Sequence, residues 1–132
     1  MSILQELKII KFDDSIKKNL INNYFNFSDR SSRADYIWWM LFSVIINLVG
    51  SQLDLQLSII ISIMMIPPGT GISIRRLHDS NKSGWNLLWS LTIIGIVPLY
   101  YWLIFKAGDQ ENNYYGKNPL NDLNHTKTSV IK

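Results

Sequence analysis

The chain has 132 residues, of which 17% are charged and 12% aromatic, with a formal net charge of +3 and no cysteine. That length suits one domain, and the charged fraction falls short of the quarter or so found in a soluble one. The absence of cysteine excludes disulfides and thiolate chemistry, and no long basic tract interleaved with aromatics supports nucleic-acid binding.

Distribution says more than the average. Outside residues 75–84, Asp54 is the only charged residue from Tyr36 through Phe105. A soluble protein of this size has to show much of such a stretch to water, so lipid is the better solvent for it. The N-terminus does not read as a signal peptide, because Lys8, Lys11, Asp13 and Asp14 interrupt it. The first apolar segment is therefore expected to act as an uncleaved anchor.

Residues 1–26 read as an amphipathic segment. Ile3, Leu4, Leu7 and Ile10 line one helical face, and Asp13-Asp14-Ser15 then caps a second helix. On that second helix Ile16, Leu20, Ile21, Tyr24 and Phe25 gather on one side. Such helices pack on protein or lie in the membrane interface. Residues 27–120 form the membrane domain. Ser31 or Ser32 caps the first span with Asp35 in its opening turn, where the helix dipole favours an acid. Arg30 and Arg33 are placed to reach lipid phosphate, and Trp38 and Trp39 to sit at headgroup level.

Three spans are expected, at about 36–53, 55–74 and 85–105. The first is short, and Asp54 marks a tight turn after it. Pro67-Pro68 should kink or break the second, since each proline removes a backbone donor. The third, Trp85 to Phe105, has no charge and lies between Lys82 and Lys106. Residues 121–132 form a flexible tail, and most of the sequence after Ala107 is polar. The fold class is all-α: a polytopic membrane protein with three transmembrane helices and N-terminal amphipathic helices. The Lys/Arg bias puts the N-terminus and the 75–84 hinge in the cytoplasm and, with three crossings, the tail outside.

The hinge is Arg75-Arg76-Leu77-His78-Asp79-Ser80-Asn81-Lys82-Ser83-Gly84-Trp85. Three jobs fit it. Arg75, Arg76 and Lys82 anchor span ends by snorkelling to phosphates. Alternatively Ser83, as a cap before Gly84 and Trp85, leaves amide donors that join the arginines in binding an anionic headgroup or an acidic partner. Catalysis by His78 with Asp79 is the weakest, because consecutive side chains diverge and no nucleophile or metal-ligand cluster stands nearby. His125 lies alone in the tail. No cofactor or metal is implied.

The order Phe27-Ser28-x-Arg30-x-Ser32-Arg33-x-x-Tyr36 into Trp38-Trp39, then Arg75-Arg76-Leu77-His78-Asp79-x-x-Lys82-Ser83-Gly84-Trp85, then Asn113-x-Tyr115-Gly116-x-Asn118-Pro119, resembles the DUF805 family over roughly residues 24 to 120. Departures are Asp29 and Asn81, where glycine is usual, and the double proline with Gly69-Thr70-Gly71. The resemblance implies a small bacterial inner-membrane protein and an important hinge, and it supplies no reaction. The reading is a non-enzymatic membrane protein whose hinge binds anionic lipid or a partner protein. Self-association or another membrane protein is expected as well, because three helices bury little surface between them. The rival class is a small oligomeric transporter or channel component built on the broken second span.

Overall fold

An uncharged run can satisfy its backbone in lipid only as a helix or a closed barrel. The computed structural model describes residues 1–121, and among these the regular structure is helical, with one isolated antiparallel bridge between Asn113 and Gly116. The expected tail from residue 122 on, with His125, lies outside the described residues.

Two helices pass the length and hydropathy requirements for crossing a membrane: α3 (Arg33–Leu53) and α4 (Leu55–Asp79). At 1.5 Å per residue they are about 31 and 37 Å long, against a hydrocarbon core of about 30 Å. Their outer turns, 33–35 and 75–79, therefore stand beyond the spans 36–53 and 55–74. Ser32 caps α3 by accepting from Asp35 N, as the sequence suggests. Asp54, in extended conformation, alone joins the two helices and caps α4 through Leu57 N at 3.0 Å. The antiparallel pair is pinned at depth by Ser62 Oγ donating to Asn47 Oδ1 at 2.7 Å. Polar side chains in lipid find partners in this way.

Pro67 and Pro68 do not break α4, which runs unbroken from Leu55 to Asp79. Pro68 leaves the Met64 carbonyl without its helical donor. The Tyr24 hydroxyl, arriving from the N-terminal segment, donates to that oxygen instead.

The apolar stretch 84–105 departs from the expected third crossing. It is a 3-10 helix (Gly84–Leu91), then α5 (Ile93–Tyr100), then a π-helical turn (Tyr101–Phe105). Both ends lie against the same end of α4. A Cβ on Gly84 would sit 2.8 Å from Ile74 Cγ2, and the Leu103 carbonyl accepts from Arg76 Nε at 2.9 Å. The arms also meet: Trp89 and Trp102 stack edge to face at 6.4 Å, and Lys82 Nζ lies 4.3 Å from the Trp102 ring centroid. The segment is a hairpin, and the bend explains why. Thr92 accepts from Gly95 N at 3.0 Å to start α5, and a Cβ on Gly95 would come within 2.5 Å of the Trp89 carbonyl. Eight residues of 3-10 helix advance about 16 Å, roughly half the core thickness.

The N-terminal elements are α1 (Ile3–Ile9), α2 (Phe12–Lys17) and a π-helical turn (Lys18–Asn22). Their apolar faces are not those read from the spacing: Leu4, Ile21 and Phe25 are exposed, and Glu6 is buried. Ser15 does not cap α2. Its hydroxyl turns inward to Asp35 Oδ1, 2.9 Å away. The apolar core gathers Ile16, Tyr36, Trp39, Ile72, Leu77, Leu99 and Leu103, under this N-terminal layer.

Because the hairpin returns, the segment after Phe105 packs on the same end as the N-terminus and hinge, not opposite them. Single cysteines at Lys11, Asn81 and Asn112 are predicted to react with an impermeant maleimide from one face of sealed vesicles, and one at Gln52 from the other. Labelling of Asn112 together with Gln52 would show a third crossing.

Candidate functional site

Arginine has five donors in a fixed planar fork and keeps its charge even when desolvated. The chain has four arginines, Arg30, Arg33, Arg75 and Arg76, and all are buried, at 5%, 6%, 1% and 0% exposure. They form one layer at the head of the helix pair. Instead of pointing to lipid phosphate, all four turn inward and spend their donors on the chain itself.

Arg76, in the last turn of α4, donates to the Leu103 carbonyl, to Asp79 Oδ2 at 2.8 Å, and to the Lys106 carbonyl. Arg33 donates to Glu6 Oε1, to the Met1 carbonyl at 2.7 Å and to the Phe105 carbonyl at 3.2 Å. Together the two arginines meet the carbonyls left open where the hairpin's return arm ends. Arg30 reaches Asp79 Oδ1 at 3.0 Å and the carbonyls of Asp109, Glu111 and Gly116. Arg75 bonds no carboxylate. It donates to Ser31 Oγ at 3.1 Å, Asn19 Oδ1 at 2.6 Å, and the carbonyls of Asn23 and Asn26, just past the π-helical turn. The partial negative charge at a helical C-terminus serves as its counter-charge.

Asp79 is the hub, held between Arg30 and Arg76, while its own carbonyl accepts from Asp109 N at 2.7 Å. A Cβ on Gly108 would fall 1.8 Å from Asp79 Oδ2, so only glycine lets the C-terminal segment pass. Burial raises the Asp79 carboxyl from its ordinary value, with Arg76 and Arg30 pulling the other way. Burial lowers both Arg75 and Arg76, yet a guanidinium starts high enough to remain charged.

His78 does not pair with Asp79. Its Nδ1 lies 3.1 Å from the Ser28 carbonyl and 3.2 Å from that of Asp29. Two acceptors there require Nδ1 to carry the proton. The ring stacks on Tyr115 at 3.8 Å and 4°. Burial lowers its pKa below 6.5, opposed by the bonds to Asp29 and Ser28.

The remaining hinge residues have local duties. Ser83 accepts from Trp85 N and so caps a 3-10 helix where an α-helix was expected, Gly84 is wedged on Ile74, and Trp85 is 80% exposed. Asn81 has φ 54°, which is why glycine also suits that position. Trp38 is half-buried and donates from Nε1 to the Ile10 carbonyl at 2.7 Å, and Trp39 lies in the core. The buried acidic and amide partners Glu6 and Asn19 escape sequence reasoning, and Asp35 and Asn113 show there only as a first-turn acid and a motif residue. For Glu6 one signal exists: it is a lone acid amid apolar residues of α1.

The family model described as "protein of unknown function (DUF805)" matches residues 24–117. Inner membrane protein YhaI of Escherichia coli (strain K12) is 33% identical over 113 residues, covering 76% of this chain and 92% of that protein. Inner membrane protein YhaH of the same strain is 28% identical over 116 residues, with the same coverage. No solved structure matches the chain.

Arg76→Gln leaves Asp79 to Arg30 alone and strands the Leu103 and Lys106 carbonyls, and should cost about 3–5 kcal/mol of stability, the range for losing one partner of a buried ion pair. Arg76→Lys should recover little, since one ammonium cannot serve three divergent acceptors. Thermal unfolding in detergent measures both, and a melt within a degree of the parent's would remove the structural role.

A second prediction concerns pH. A base with a depressed folded pKa leaves the unfolded state holding more protons, so stability rises with pH. The His78 contribution is complete above pH 6.5 and is lost as pH falls through the window beneath it. Unfolding midpoints between pH 7 and 5 should fall in the parent, and fall less in His78→Gln.

Proposed function

The chain belongs to the DUF805 family, whose relatives named above are inner membrane proteins, and on that premise we propose that it is a non-catalytic inner-membrane protein that holds anionic lipid headgroups on the cytoplasmic face of a two-crossing anchor. The re-entrant hairpin takes the place of a third crossing.

The observation that carries this is a division between the two basic residue types. The arginines are all inside. The lysines Lys8, Lys11 and Lys17 are exposed, and Lys18, Lys82 and Lys106 are half-exposed around the same end of the molecule. Every described Lys and Arg stands on that side, and the opposite turn carries only Asp54. Concentration of cations on one face is how the cytoplasmic side of an inner-membrane protein is marked. Mobile ammonium groups near the surface add about 1 kcal/mol each toward an anionic leaflet. Exposed Leu4, Ile21 and Phe25, on the same N-terminal elements, suit insertion beside those headgroups.

In this reading the hinge supports the binding surface without being that surface. Arg75, Arg76, His78 and Asp79 hold the head together, and Lys82 and Trp85 join its rim. Headgroup binding is preferred to transport because α4 passes through Pro67-Pro68 unbroken. It is preferred to catalysis because His78 is occupied with loop carbonyls.

Replacing Lys8, Lys11 and Lys17 together by Gln should lower retention of phosphatidylglycerol during purification several-fold, with the melting temperature unchanged. Native mass spectrometry in matched lipid mixtures reads the outcome. Equal retention by parent and triple variant would count against the proposal.

A further inference from the structure

Consecutive tryptophans in a helix point about 100° apart, and here they meet different fates. Trp38 gives its indole N–H to the Ile10 carbonyl. Trp39 is 4% exposed, and its N–H is paired with none of the described residues. The indole body is buried, whereas its N–H stays open at the surface as a free donor. It sits in the wall of a groove of about 590 Å³ between α3, α4 and the first arm of the hairpin. That volume is within the usual range for a small-molecule site, roughly 300–1,000 Å³.

Most polar groups along the groove are already spent. Asn47 and Ser62 bond each other, Ser73 Oγ donates to the Gly69 carbonyl, and Ser90 Oγ to that of Leu87. The Trp39 N–H and the Ser43 and Thr70 hydroxyls are the donors left over, and no charged residue lines the groove. Gly69 keeps the indole uncovered, since a Cβ there would stand 3.5 Å from Nε1. A fixed donor in an uncharged, largely apolar groove is complemented by a neutral acceptor on an apolar body, which describes a carbonyl. Depth narrows the source. Trp39 follows Arg33 by six residues, placing it about 9 Å below the guanidinium layer. The 36–53 span begins three residues before it, so Trp39 lies about 4.5 Å inside the headgroup end of that span, within reach of a phospholipid ester carbonyl.

We propose that this groove seats one phospholipid, with an ester carbonyl accepting from Trp39 Nε1 and the acyl chain lying against Leu87 and Leu88. The site depends on the ester and not on the phosphate, so it stands apart from headgroup binding at the lysine rim.

The test uses the full chain in nanodiscs with zwitterionic phosphatidylcholine carrying a diazirine on its acyl chain, either ester-linked or ether-linked. Cross-links are mapped by mass spectrometry. The ester lipid should label residues 39–43, 65–73 and 87–91 about five-fold more than the ether lipid, the ratio that one net hydrogen bond supplies. Trp39→Phe, which keeps the ring and loses the donor, should bring the two to parity. Gly69→Ala, which covers the N–H at ordinary contact distance, should do the same and serves if the first variant misfolds. Parity in the parent, or a preference that survives both variants, overturns the proposal. Displacement by a short-tailed benzoquinone without any ester preference also overturns it, assigning the carbonyl to a quinone. The zwitterionic probe keeps failure here distinct from failure at the lysine rim.

Discussion

Removing a guanidinium from water costs several kcal/mol unless its donors are met, and this chain removes four of them within one layer. Among the described residues Glu6 and Asp79 alone bond those guanidiniums as carboxylates, which is too few for four cations. Backbone carbonyls make up the difference. Short helical segments end with unmet carbonyls and a partial negative charge, and desolvated arginines need both. Arg33 and Arg76 take the end of the return arm, and Arg75 the end of the π-helical turn. Two unfavourable features cancel, and each guanidinium ties together segments far apart in sequence. The N-terminal layer, the hinge and the C-terminal segment thus depend on one another.

That dependence also explains the path of the third apolar stretch. At twenty-one uncharged residues, 85–105 is long enough to cross. Crossing would carry Lys106 and the following polar segment to the far face. It would also leave Arg33 and Arg76 without the carbonyls of Leu103, Phe105 and Lys106. Folding back keeps those bonds and keeps the basic residues on one side. The bend has its own cost, limited by the Thr92 cap and by side-chain hydroxyls of Ser90 and Thr92 that satisfy nearby carbonyls.

How much of this was legible follows from which signals are local. The membrane setting, the Asp54 turn, the Ser32 cap and the weight of the hinge all rest on composition or on neighbours within a few residues. The DUF805 resemblance likewise rests on motifs that follow one another along the chain. The hairpin did not show, because hydropathy measures length and not direction. Gly95 and Pro98 mark a bend without saying that the arms meet. The arginines were misread for a related reason. A cation beside a span reads as phosphate-facing, and its inward turn depends on partners such as Asn19, Asn26 and Glu111, which lie 56 and 49 residues away from Arg75 and 81 from Arg30. The α1 face was misread because a lone acid buried for an arginine reverses an amphipathic pattern.

The same reasoning separates what this fold closes from what it leaves open. Within the head most donors and acceptors are matched, and Asp79 alone serves two guanidiniums and the Asp109 amide, with Glu6 Oε2 and Ser80 Oγ the buried atoms left over among the described residues. An external anion would have to displace bonds already made there, whereas Lys8, Lys11 and Lys17 at the rim are exposed. One turn deeper the balance reverses. Trp38 belongs to the matched layer and Trp39, one residue on, does not, although both are indoles on one helix. A chain that spends its arginines so completely on itself leaves exposed lysines at the surface and neutral donors in the groove below as its uncommitted polar groups. The Trp39 indole N–H is open to that groove, while the buried polar atoms without a partner among the described residues lie in the head above it.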